Sequence, residues 1–263
     1  GLDIVEPLKS GFHSRIMKTV FKYCDKIICV SGYTRQLVIK YCGTPADKIR
    51  VINNGVNISK FYPADSVAAK KYIGVDGRFV LLTVSRLTPR KGHRTVIETV
   101  EKLKDKIPEI LYVIVGRGET GSELENLVAE KNLENYVKFA GFCASDKLIE
   151  YYNACDIFVM ISDEILETGD IEGFGISYLE ANACGKPVIS GNSGGVADAV
   201  SNGINGYRIN GTAVELSDII LKLRFDSELY HKITTTSLKF VRENFQWRQK
   251  ALEYYKTLET EIQ

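Results

Sequence analysis

The sequence predicts an α/β fold with a mainly parallel sheet. Short apolar strand patterns alternate with helical patterns along most of the chain, and Gly, Asn, Ser or Pro marks the joins. At 263 residues the chain is long enough to bury a sizeable core in one or two domains. A hydrophobic content of 44% and a charged content of 25% fit a soluble globular protein.

The elements follow in order. Residues 13–24 read as a helix, and Lys26 to Val30 as a short apolar strand. Ser31 is placed to cap a second helix that carries Leu37, Val38 and Tyr41 and ends at Gly43. Ile49 to Ile52 is a strand, Asn53-Asn54-Gly55 a loop signal, and Phe61-Tyr62-Pro63 the start of a linker. The alternation then restarts with a strand over Phe79–Val84 and a helix from Arg94 to about Lys104. Ile110–Val115 is a strand, ended by Gly116-Arg117-Gly118, and Ser122 to about Lys131 a helix. Val137–Ala140 is a strand, and Ser145 is placed to cap a helix to Ala154. Ile157–Ile161 is a strand, followed by a long loop and a helix that starts after Gly175, runs to Cys184 and stops at Gly185. Pro187–Ile189 is a strand, a short helix runs to Val200, and Tyr207–Ile209 is the last strand. Residues 63–240 thus read as one complete doubly wound domain, residues 1–62 as a β-α-β remnant of a second, and residues 241–263 as a closing helix with Trp247, Tyr254 and Tyr255.

Composition narrows the functional classes. A net charge of +1 gives no electrostatic case for nucleic acid. Six cysteines form no CxxC pair, so buried free thiols and a reducing compartment are expected. His13, His93 and His231 are too scattered for a metal site. No apolar run has transmembrane length and no signal-peptide pattern is visible, so a cytoplasmic location is expected. The basic residues of 13–26 read as a solvated helix face. The chain opens with Gly1 rather than Met, and with a helix rather than a strand, which predicts a fragment or a processed chain.

The chemistry concentrates in two loops. In Ile171-Glu172-Gly173-Phe174-Gly175-Ile176-Ser177-Tyr178-Leu179-Glu180, two carboxylates stand eight positions apart across a loop that turns into a helix. Backbone N–H groups at such a helix start favour oxygen-rich or anionic ligands. A ligand with two sets of hydroxyls, such as a nucleotide sugar, can use both acids as acceptors. Ser85-Arg86-Leu87-Thr88-Pro89-Arg90-Lys91-Gly92 follows the strand ending at Val84, where open α/β sheets bind ligands. Arg86 and Lys91 can converge on one anion, with a planar fork and a mobile point charge suited to a diphosphate. Arg90 and Arg94 read as surface charges, and Asp163, Glu164 and Glu167 as a solvated acidic loop. Gly116-Arg117-Gly118 is either a tight turn or a ligand-facing loop; Ser193-Gly194-Gly195 reads as a glycine turn.

These motifs resemble family 4 of the retaining glycosyltransferases, enzymes of the GT-B fold. The resemblance rests on Glu172-Gly-Phe-Gly…Glu180 and on Ser-Arg86-Leu…Lys91-Gly, and covers nearly all 263 residues. It implies transfer of a hexose, mannose or glucose first, from a nucleoside diphosphate sugar to a hydroxyl acceptor with retention of configuration. Saccharide or lipid-linked acceptors in polysaccharide or glycolipid synthesis are implied, with peripheral membrane contact. Arg86 and Lys91 would hold the donor diphosphate and Glu172 a donor-sugar hydroxyl. The backbone of Phe174, Gly175 and Ile176 would meet sugar and phosphate, and Glu180 the ribose hydroxyls. Gly141, with Phe142 or Cys143, would lie beside the nucleobase. No metal or other cofactor is implied, since the Arg86–Lys91 pair does a divalent ion's work and no Asp-x-Asp motif appears. Asn53-Asn54-Gly55 would be the hinge between domains, and the closing helix would cross back to the amino-terminal one.

The chain departs from the family pattern in three ways. Ile161 stands where Pro is frequent, and the loop before Glu172 is longer than the family minimum. Most of the acceptor-side domain has no counterpart, including its Gly-rich loop and a histidine whose context His13 does not match. The isolated chain is therefore expected to bind donor nucleotide and turn over poorly, or to act as a non-catalytic binding subunit.

Overall fold

The structure is a computed structural model and describes residues 11–165 and 169–259. A helix α1 (Gly11–Tyr23) leads to β1 (Ile27–Cys29), α2 (Gly32–Cys42) and β2 (Ile49–Val51). The two strands pair in parallel, Ile27 opposite Ile49. Then come α3 (Ser66–Tyr72), β3 (Phe79–Val84), α4 (His93–Leu103), β4 (Ile110–Val115), α5 (Gly121–Glu130) and β5 (Val137–Gly141). The second half runs α6 (Leu148–Ala154), β6 (Ile157–Met160), α7 (Ile176–Ala183), β7 (Val188–Gly191), α8 (Val196–Ala199) and β8 (Gly206–Ile209). Three helices close the chain: α9 (Ala213–Phe225), α10 (Ser227–Asn244) and α11 (Trp247–Glu259).

Strands β3 to β8 form a six-stranded parallel sheet in the order β5-β4-β3-β6-β7-β8. Alternate residues feed two cores, because successive side chains on a strand point to opposite faces. Val80, Leu82, Val113 and Phe158 pack with α6 and α7 residues such as Tyr152 and Leu179. Leu81, Tyr112, Ile114 and Val159 pack on the other face with Val96, Ile97 and Val100 of α4 and Leu216 and Ile220 of α9. The chain winds from β3 outward to β5, then returns past β3 to β6 and winds the other way. The crevice outside the carboxyl ends of β3 and β6 is therefore the switch point, where such sheets bind ligands.

The β1–β2 unit meets the large sheet's loops at the start of α2. Ser31 caps α2 through Thr34 in a reciprocal capping box, and Gly43 ends it in the left-handed conformation. Asp198 of α8 accepts from the Gly32 N–H at 3.0 Å and from Asn53 Nδ2 at 3.0 Å. Val56 pairs with Gln246, and the Val56 N–H donates to the Phe245 carbonyl at 2.7 Å. A cleft of about 640 Å³ lies between this unit and α11, lined by Asp47 and Arg50 on one side and Glu253 on the other.

Several expectations need correction. Helix α3 was not legible as a helix; it is short, capped by Asp65, and buries only Ala69. Ser145 does not cap α6, which begins at Leu148 without a side-chain cap; its hydroxyl accepts from Lys60 instead. Glu164 is not simply solvated, since it accepts from the Tyr33 hydroxyl at 2.9 Å. Glu167 lies outside the described residues. Only Cys29, Cys155 and Cys184 are buried; Cys24, Cys42 and Cys143 are half-buried. The basic residues of α1 are exposed as expected, and Phe12, Ile16, Val20 and Tyr23 form an exposed apolar stripe along the same helix. Phe245 is buried, whereas Trp247 and Tyr255 are exposed. Among the described residues, no helix is long and apolar enough to cross a membrane.

Candidate functional site

Two loops meet at the switch point. The first leaves β3 at Val84 and makes a tight 3-10 turn over Pro89–Lys91 before α4. The second leaves β6 at Met160 and returns into α7 at Gly175, whose left-handed backbone starts the helix. Their charged residues form one buried network. Lys91 Nζ pairs with Glu172 Oε2, and Arg90 Nη1 reaches the same oxygen at 3.0 Å. Arg90 Nε lies 2.7 Å from Asp170 Oδ1. Arg90, Lys91 and Glu172 are each about 8% exposed, so the pairs are sheltered from screening.

Burial alone would raise the Glu172 carboxyl, but Lys91 and Arg90 outweigh it and hold that group below the ordinary carboxylate range. Burial presses the Lys91 ammonium down; Glu172 opposes this, while the Arg90 and Arg86 guanidiniums add to it. Glu172 is thus an anion at neutral pH, held by two cations. Arg86, four residues before Arg90, is exposed and free to meet a ligand.

Glu180 sits on the fifth residue of α7. Tyr152 of α6 donates to its Oε2 at 2.6 Å. Burial raises the Glu180 carboxyl, and the Tyr152 hydrogen bond and the Lys60 charge only partly offset it. Removing the phenol in Tyr152→Phe is expected to raise that carboxyl further. Any affinity that depends on ionised Glu180 should then fade at a higher pH than in the parent protein. A pH series of nucleotide affinities for both proteins tests this, and coincident profiles would refute it. The stability sign is opposite. A carboxyl raised by folding contributes stability at low pH that is lost as pH rises through its folded value. Loss of the buried hydrogen bond should also cost about 1–2 kcal/mol, read by urea unfolding.

The remaining predicted residues are placed as follows. The Phe174 ring turns into the core, 6.0 Å from that of Phe245, leaving only its backbone at the site. Ile176 is partly exposed at the start of α7. Gly141 ends β5 in the left-handed conformation, its carbonyl accepting from the Gly116 N–H at 2.8 Å, and Phe142 beyond it is 72% exposed. Gly116 and Gly118 serve a close loop contact. A Cβ at Gly116 would stand 1.8 Å from the Ser85 carbonyl oxygen, and one at Gly118 2.2 Å from that of Leu87. The β3 loop is braced a second way by His93, whose Nε2 lies 3.1 Å from Ser85 Oγ and whose Nδ1 lies 2.9 Å from the Tyr112 hydroxyl. Burial pushes the His93 imidazole down to about 4, so it braces as a neutral ring at neutral pH.

Residues 68–240 match the family model described as glycosyl transferases group 1. The chain belongs to this family. Residues 3–60 also match the model for glycosyltransferase family 4. A GDP-mannose-dependent alpha-(1-6)-phosphatidylinositol monomannoside mannosyltransferase of Mycolicibacterium smegmatis is 29% identical over 229 residues, covering 86% of this chain and 60% of that protein. The amylovoran biosynthesis glycosyltransferase AmsK of Erwinia amylovora is 31% identical over 212 residues, covering 80% of this chain and 50% of that protein. The crystal structure of Anabaena HepE in complex with UDP and glucose superposes with a TM-score of 0.84 at 26% identity, covering 95% of this chain and 67% of that one. The parallel α/β architecture is thus that of GT-B glycosyltransferases.

In this group 1 glycosyltransferase chain, the largest departure from the sequence reading is Arg90. It is not a surface charge but the buried bridge between Asp170 and Glu172. Its place next to Lys91, in the same Pro-started turn of the β3 loop, was the available signal. Tyr152 and Asp170 were also missed. Their partners lie on other elements, which spacing along one loop does not report. Arg94 does behave as a surface charge, paired with Glu123 while both stay exposed. Ser193-Gly194-Gly195 is a glycine turn that packs on the Glu172 loop, with the Gly195 N–H donating to the Glu172 carbonyl at 2.7 Å.

Proposed function

We propose that this chain carries the donor half of a retaining hexosyltransferase that uses a nucleoside diphosphate sugar, mannose or glucose first. The observation that carries the reading is the pair of cations on the β3 loop set against Glu172 at the switch point, with Glu180 on α7 behind it. The mycobacterial relative is named for GDP-mannose and the HepE structure for UDP and glucose, and either donor suits this arrangement.

In this reading Arg86 and Lys91 take the diphosphate and offset the charge that builds on it as the sugar departs. That positive pair stands in for a metal ion. Glu172, already ionised and fixed by Arg90, accepts a hydroxyl of the sugar. Glu180 accepts from the ribose. The acceptor would be a saccharide or a lipid-linked saccharide.

Titration calorimetry with GDP, UDP and ADP tests the donor site. One nucleotide is expected to bind selectively, and Arg86→Ala and Glu180→Ala should each weaken it about 10–100-fold, the size of one lost charge-assisted contact. Arg86 is exposed, so its variant should melt with the parent protein. A well-folded parent that binds none of the three would refute the reading.

A further inference from the structure

We infer that Arg90 is a positioning residue that sets how the site treats the sugar of its donor, an inference that rests on the donor-site reading above. Three contacts from this one residue gather the second loop. Its carbonyl accepts from the Asp163 N–H at 2.8 Å, where the loop leaves β6. Its guanidinium holds Asp170 at 2.7 Å and Glu172 at 3.0 Å, where the loop returns. Within the loop, the Ile165 N–H donates to the Asp170 carbonyl at 3.0 Å.

The consequence is chemical as well as mechanical. Glu172 Oε2 is shared by Arg90 and Lys91. With Arg90 gone, Lys91 would be the remaining cation on a buried carboxylate, and a buried charge is costly to leave half-paired. Glu172 would then be fixed by Lys91 alone, through one flexible stem. The carboxylate would move with the Lys91 side chain, out of the position from which it meets a sugar hydroxyl. Arg90 prevents this because its planar fork can hold two carboxylates in fixed directions, which a lysine cannot do. Arg90 thereby keeps Glu172 in place even when Lys91 turns to the donor's phosphates.

The test compares nucleotide with sugar nucleotide, using UDP against UDP-glucose and GDP against GDP-mannose on the full chain. The variants are Arg90→Met and the charge-conserving pair Arg90→Met with Asp170→Asn, which removes both members of that ion pair and guards against simple unfolding. The ratio of sugar-nucleotide Kd to nucleotide Kd is expected to rise about tenfold in both variants, while the paired variant keeps its nucleotide Kd within about threefold of the parent protein's. A merely structural role would weaken both ligands together and leave the ratio unchanged, and that result would overturn the inference while the donor site stands. Binding of none of the four nucleotides by the folded parent protein would overturn the donor-site reading and the inference with it.

Discussion

Lys91→Met is expected to weaken nucleoside diphosphate binding about 10–100-fold, the worth of one charge-assisted contact to phosphate. It should also destabilise the fold. Removing one partner of a buried pair costs about 3–5 kcal/mol, and Arg90 remains on Glu172, so a loss of about 2–3 kcal/mol is expected in urea unfolding. The pH dependence has a definite sign. Glu172 is held below its ordinary range in the folded chain, so its contribution is present above the unfolded value of about 4.3 and is lost as pH falls through the folded value. The stability gap between parent and variant should therefore be full at neutral pH and narrow on acidification below about pH 4. A gap that stays constant across that window would show that the ion pair is not its source.

Gly195→Ala is expected to cost about 2–4 kcal/mol and to impair the donor site together with the fold. Gly195 has an ordinary negative φ of −82°, so strain is not the reason. Space is. A Cβ there would stand 2.0 Å from the Gly173 carbonyl oxygen and 2.5 Å from Ser31 Oγ. The first obstacle is backbone and cannot rotate away. It adjoins Glu172, so relief of the clash must move the very segment that carries the carboxylate. Gly203→Ala supplies the contrast, since its φ is +72° and nothing lies within 4 Å of the added carbon. That variant should lose only about 1 kcal/mol, the cost of a left-handed conformation alone. Equal losses at the two positions would refute the steric account.

These residues also show what a sequence does and does not disclose. Phe79–Val84 and Ile110–Val115 were readable to the residue, because strands covered on both faces are almost wholly apolar and end abruptly at Ser85 and Gly116. Glu172 and Glu180 were readable because one loop-to-helix turn carries both. Arg90 was not, since its burial is decided by Asp170 and Glu172, about eighty positions further on. Tyr152 belongs to the same class: its aromatic ring reads as core, which it is, and nothing in its own segment reports the hydroxyl's partner on α7. Helix α3 failed for the opposite reason. It is short and buries a single side chain, so it prints too little pattern to be seen.

Ile171, the residue before Glu172, is 3% exposed and belongs to the apolar cluster of the β1–β2 unit, among Cys29, Leu37, Val38 and Ile49. A side chain from one body is socketed in the other, directly beside the carboxylate. Any tilt of the smaller body is thus delivered to Glu172 through a single peptide link, with no flexible tether to absorb it.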